Sequence, residues 1–198
     1  MTSAGKIWKA LNEGVIGYIF YIVAGMVAAI VVVNVLGAAL GTSIPLVAVL
    51  SGSMDHGINS DEANGKYPCS VNVPDYRESF DSWWTLCDFT YEEFNITKER
   101  FASFPFRDGF KRGDIPVIQS DDEYEVGDIV VFNIPSQSIP IIHRIVAADS
   151  ERGVYQTKGD HNPGQNVYEK SVHESQIRGK VVLLIPYLGY LRVLLPIN

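Results

Sequence analysis

Ser51-Gly52-Ser53-Met54 places two hydroxyls around a glycine. A serine in a Gly-bearing turn is sterically free to act as a nucleophile, provided that a base lies within hydrogen-bond reach to take its proton. His143 follows the apolar run Pro140-Ile141-Ile142 and precedes Arg144, and an imidazole carried on a strand can be that base. Gly159-Asp160-His161-Asn162-Pro163 reads as a turn able to present a carboxylate to the imidazole. Taken singly, these are a loop serine, a core histidine and a turn. Taken together they suggest a serine hydrolase. There is no nucleotide-binding loop, no CxxC pair and no HExxH. His56, His143, His161 and His173 lack zinc-ligand spacing with a second donor class, and only His161 and His173 are candidates to share an ion, so neither a metal nor a cofactor is expected.

These residues need elements to hold them. Between Glu13 and Asp55 no residue is charged, and Val15 to Leu40 is a nearly unbroken apolar run. About 20 apolar residues suffice to cross the hydrocarbon core as a helix, so residues 14–41 are expected to be a transmembrane helix, ended before Pro45. The run is far too long for the hydrophobic region of a cleaved signal peptide. Tyr18 and Tyr21 suit an interfacial belt, and Lys6 and Lys9 precede the span with no basic residue close behind it. The positive-inside rule then makes residues 1–13 a cytoplasmic N-terminus and puts the body of the chain outside. A net charge of −7 argues against a nucleic-acid partner, which would need a clustered basic face.

Residues 55–109 read as a small, acidic, aromatic-rich and partly helical insertion. Up to Phe110 the segment has eleven acidic against five basic residues and twelve of the 22 aromatics. Short helices are expected from Pro74-Asp75 toward Leu86, at Thr90–Phe94 and at Thr97–Phe104. Cys69 and Cys87 are the only cysteines. Either they form a disulfide, worth roughly 3 kcal/mol in the chain-entropy model, or they are buried thiols. Trp83 and Trp84 either anchor in lipid or fill the lobe's own core. From residue 111 the texture changes to short β-branched runs, starting at Asp114, Asp128, Pro140, Gly153 and Gly179, which indicate an antiparallel sheet or small barrel. Residues 42–54 and 110–190 would form this β-rich domain, and residues 191–198 an interfacial C-terminus following its last strand. The fold class is therefore mainly β, with one N-terminal transmembrane helix and a small α-rich insertion.

Six segments occur in a fixed order: Ser51-Gly-Ser-Met54 after the span, Arg112-Gly-Asp114, Val126-Gly-Asp-Ile-Val-Val131, Pro140-Ile-Ile-His-Arg-Ile145, Thr157-Lys-Gly-Asp160 with Asn162, and Gly179-Lys-Val-Val182 with Ile185-Pro-Tyr-Leu-Gly189. The set resembles type I signal peptidases over residues 14–54 and 110–190. Because the strand carries His143 where the bacterial branch has lysine, the resemblance is to the archaeal and endoplasmic-reticulum branch, an archaeal source being favoured. It implies a membrane-bound serine endopeptidase that removes signal peptides from exported precursors. Ser53 would be the nucleophile, His143 the general base, Ser51 an oxyanion donor with the Ser53 N–H, and Asp160 the acid. The implied partners are signal-peptide-bearing precursors, the lipid bilayer and the Sec translocon, at the cell membrane with the catalytic domain outside. Small side chains are expected at the first and third positions before the cut.

Two departures bear on this. Asp55-His56-Gly57 stands where the family usually has a proline, and the insertion begins there. The branch also carries a second aspartate six residues after the first, where this chain has Asn166. Either Asp160 serves alone, or another acid such as Glu169 enters the site, or the chain is an impaired homologue acting as a membrane-attached binding module. A self-cleaving serine–lysine regulator of related β fold is disfavoured by His143 and by the external topology.

Overall fold

The computed structural model describes residues 14–59 and 65–189, so the expectations for residues 1–13 and 191–198 fall outside the described residues. The chain divides into two compact units, Met1–Ala39 and Leu40–Asn198. The first is seen as helix α1, Gly14–Leu40. Its 27 residues exceed the length needed to span a bilayer, with mean hydropathy 2.6 over its most apolar window.

The second unit is built on a six-stranded sheet. Its strands are β1 (Ile115–Gln119), β2 (Ile129–Phe132), β3 (Ile141–Asp149), β4 (Val154–Lys158), β5 (Val172–His173) and β6 (Ile177–Ile185). They lie in the order β1-β6-β2-β3-β4-β5, and every pairing is antiparallel. Five of the six follow the β-branched runs. The two-residue β5 carries too little pattern to be read. β2 is buried at all four positions because both faces of the sheet are covered: Ile129 and Val131 pack with Val49, Met54, Phe110 and Val181, while Val130 and Phe132 pack with Tyr124, Ile145 and Tyr155. The segment after α1 runs antiparallel along β1, with Ile118 N–H on Pro45 O, Val47 N–H on Pro116 O and Val49 N–H on Asp114 O. Alternation along a strand leaves the backbone groups of Leu46, Ala48 and Leu50 on its other edge.

Residues 55–109 leave and re-enter side by side, since Asp55 and Gly109 form an isolated antiparallel bridge. Inside are helices α2 (Phe80–Cys87) and α3 (Lys98–Ala102) and several 3₁₀ turns. α2 starts later than Pro74-Asp75 suggests, because Ser79 is its cap and accepts from Ser82 N–H. Thr97 caps α3 by accepting from Arg100 N–H. Cys69 and Cys87 are disulfide-bonded. Trp83 is fully buried and Trp84 only 8% exposed. Both pack with Tyr91, Ile96 and Phe101, so they fill this lobe's core and are not free to enter lipid. Val146 of β3 belongs to the same cluster, which joins the lobe to the sheet.

Candidate functional site

Ser53 sits in the tight turn closed by Asp55 N–H donating to Gly52 O at 3.0 Å. Glycine at 52 lets the Asn59 side chain pack against the turn: a Cβ there would lie 1.7 Å from the Asn59 amide nitrogen and would displace that side chain. His143 is on β3, opposite Val130. Its Nε2 is 2.9 Å from Oγ of Ser53, and its Nδ1 is 2.5 Å from Oε1 of Glu169. A carboxylate at Nδ1 fixes the tautomer with hydrogen on Nδ1, which leaves Nε2 free to accept the serine proton. Ser53, His143 and Glu169 are all buried. Ser51 Oγ lies 3.2 Å from Ser53 Oγ.

Glu169 is held on all sides. It lies on the 3₁₀ turn Val167–Lys170, entered through Asn166. Its Oε2 accepts from the backbone N–H and the side-chain Nδ2 of Asn166, each at 2.8 Å. Thr157 Oγ1 donates to Oε1 at 3.4 Å. Burial alone would raise the Glu169 pKa, but the hydrogen bond and charge of His143, with the two donors of Asn166, outweigh burial and hold it below the ordinary glutamate range.

Asp160 lies elsewhere. Its carboxylate accepts from Arg144 Nε at 3.0 Å and Nη2 at 2.7 Å, from Tyr91 Oη at 3.1 Å and from His56 Nε2 at 3.2 Å. Burial would raise its pKa, yet the Arg144 charge and the bonds from His56 and Arg144 hold it well below the usual range. The carboxylate on His143 is thus Glu169, and Asp160 is the hub of a separate buried cluster. Strand alternation explains the division. Neighbours on a strand face opposite sides, so His143 turns toward Ser53 while Arg144 turns toward the insertion. On β4, Thr157 faces Glu169, and Lys158 faces the insertion with its Nζ 4.5 Å above the Tyr91 ring. Lys158 is fully buried, and burial pulls its pKa down to about 8.

The turn after β4 connects the two clusters. A Cβ at Gly159 would come within 2.8 Å of both His143 Nε2 and Ser53 O, so only glycine fits beneath the pair. His161 donates its N–H to Ser53 O at 2.9 Å. The His161 ring bonds the backbone carbonyls of Asp55 and Gly65, and His173 lies on β5. Of the residues singled out in the sequence, Ser51, Ser53 and His143 come together, and Asp160 is one layer away. Glu169 was named in the sequence only as the alternative to Asp160, although Asn166-Val-Tyr-Glu169 has the N-x-x-E spacing of a helix-capping pair.

Ser53 and His143 line a cleft of about 340 Å³. Its lining also includes Val47, Ala48 and Leu50 from the segment beside β1, Ile139 to Ile142 at the start of β3, and Asn166 and Tyr168.

No family model matches the chain. Among known proteins it is similar to the signal peptidase complex catalytic subunit SEC11 of Colletotrichum graminicola, 39% identical over 97 residues, an alignment covering 43% of this chain and 56% of that protein. The subunit of the same name from Candida albicans strain SC5314 is 36% identical over 98 residues, covering 45% of this chain and 59% of the relative. That of Komagataella phaffii is 33% identical over 103 residues, covering 45% and 60%. The alignments thus span less than two thirds of these relatives. The likeness to signal peptidases carried by the ordered motifs is matched by these names.

Proposed function

We propose that this chain is a membrane-anchored serine endopeptidase that removes signal peptides from precursor proteins. One observation carries the reading: the buried chain of contacts from Ser53 Oγ to His143 Nε2 and from His143 Nδ1 to Glu169, at the wall of an open cleft. Ser53 Oγ attacks the scissile carbonyl as its proton passes to His143 Nε2. The C–N bond breaks, and His143 delivers that proton to the leaving amine. Water, deprotonated by His143, then releases the acyl group from Ser53. Glu169 acts through His143, stabilising the imidazolium formed in each half-reaction. Ser51 and the Ser53 N–H would hold the oxyanion; losing one such donor typically costs about 10²–10³ in rate.

The substrate would enter as an extended strand, because the outward edge of Leu46, Ala48 and Leu50 offers backbone partners along the cleft. α1 would place enzyme and precursor in one bilayer with residues 40–198 outside, so that the cut falls at a fixed height. The cell membrane as location, that orientation and association with a Sec translocon belong to the same proposal. Asn166, which suggested a non-catalytic binding module, is accounted for as the residue that holds Glu169, so nothing specific favours that module.

The test is cleavage of a model preprotein in detergent by the full chain. Ser53→Ala and His143→Ala should each lose more than 99% of turnover, and the double variant should be little worse than either, since the members act as a unit. Cleavage by Ser53→Ala above a few per cent of the parent rate would rule the mechanism out.

A further inference from the structure

The insertion is wired into the site, and one residue makes the connection that alternation along β3 would otherwise forbid. His56, the second residue of the insertion, is buried, its ring stacked on Trp83 with centroids 3.7 Å apart and planes 2° apart. Tyr76 Oη donates to its backbone carbonyl at 2.6 Å. Its Nε2 reaches Asp160, and its Nδ1 has no partner among the described residues. A carboxylate can only accept, so Nε2–H donates to Asp160, and that is the ring's only hydrogen bond among the described residues. Asp160 is followed directly by His161, whose N–H holds the carbonyl of Ser53, and preceded by Gly159, which packs beneath Ser53 and His143. Arg144, the other main partner of Asp160, reaches the carbonyls of Pro105 and Phe106 at the far end of the insertion.

The geometry points to His56 as a positioning residue for the Ser53–His143 pair: through its hydrogen bond to Asp160 it sets the 159–161 turn that fixes the carbonyl of Ser53. The acid of the Gly-Asp-X-Asn segment then serves the reaction as a mount rather than as the partner of the base. This rests on Ser53 and His143 being nucleophile and base. The insertion becomes part of the catalytic apparatus, because the residue that completes the mount is its own. A displacement of about 1 Å at a reacting group can cost about 100-fold in rate, so a small tilt of this turn is enough to be measured.

The experiment compares His56→Phe and His56→Gln in the full chain, in detergent, on a model preprotein with an Ala-X-Ala cleavage site. Phenylalanine keeps a ring on Trp83 and removes the donor. Glutamine loses the ring but places an amide donor near the position of Nε2. His56→Phe should lower kcat about 10- to 100-fold with KM within twofold of the parent, and His56→Gln should recover most of the loss. A parent-like kcat in His56→Phe, or equal losses in both variants, overturns the inference. Should His56→Phe fail to fold, His56→Leu takes its place, removing the donor to the same carboxylate, with His56→Gln again as the donor-bearing counterpart. There at least a threefold fall in kcat supports the mount and an unchanged kcat overturns it. Ser53→Ala, run alongside, separates the two claims: an inactive Ser53→Ala beside a fully active His56→Phe defeats only the positioning role, whereas an active Ser53→Ala defeats the mechanism itself.

Discussion

Both oxygens of Glu169 are occupied, one by His143 and Thr157 and the other by Asn166. Replacing it tests the assignment directly. Glu169→Gln should cut turnover by up to about 10⁴, the loss seen when a triad acid becomes an amide, with the melting temperature nearly unchanged. Asn166→Asp gives a sharper contrast. A second carboxylate 2.8 Å from Oε2 raises the pKa of Glu169 by like-charge repulsion and favours the protonated imidazole. Both effects move the acid limb of kcat/KM to higher pH and lower the rate near neutrality; a gain in activity would contradict the assignment. Asp160 bears on stability as well as on the mount beneath Ser53. Its pKa is depressed in the folded state, so its contribution is fully present above the usual carboxylate pKa of about 4 and is lost as pH falls through the folded value. The stability gap between the parent and Asp160→Asn, followed by urea unfolding, should therefore shrink below about pH 4. Ser53 and His143 were legible because small, ordered boxes carry them. Glu169 stood only as an alternative to Asp160, because the identity of an acid says nothing about which side of a sheet it reaches.

Among the elements, the strands were the easier reading: β-branched runs between turn residues specify them locally. The insertion was harder. Its helices are one to two turns long, and their starts depend on single caps such as Ser79, which competes with the equally plausible turn at Pro74-Asp75. What secures these short pieces is the aromatic cluster and the Cys69–Cys87 bond. Cys69 also donates its backbone N–H to His161 O at 2.8 Å, so the disulfide braces the turn that bears on Ser53. Replacing both cysteines with serine removes roughly 3 kcal/mol of loop-closure stabilisation. In a domain of this size that lowers the melting temperature by about 6–12 °C, which calorimetry would register; a shift below 2 °C would mean that the aromatic cluster alone holds the lobe.

For the whole molecule, the sequence separates an apolar N-terminal run from a polar body, and the two compact units follow that division. Composition also set residues 55–109 apart as a lobe, but it could not show that Val146 of the sheet completes the lobe's core or that Arg144 and Asp160 are covered by it. Those contacts join residues far apart in sequence and leave no periodic trace. Because Trp83 and Trp84 are already buried, adding lipid vesicles to a Trp8→Phe variant should leave its fluorescence maximum in place. A blue shift would mean that the lobe opens onto the bilayer.

The adjacency of His143 and Arg144 on β3, one turned to Ser53 and the other to Asp160, bears on which mutations this chain can survive. Slide β3 by a single residue against β2 and the two exchange faces: a guanidinium that cannot give up its proton meets the serine, and an imidazole is buried against Asp160. The hydrophobic pattern Ile141, Ile142, Ile145, Val146 tolerates such a slip better than the chemistry does, since apolar residues occur on both sides. Single-residue insertions and deletions in the connection 133–140 therefore threaten activity before they threaten folding, and loop-length variation there should be confined to changes that leave the strand's frame intact.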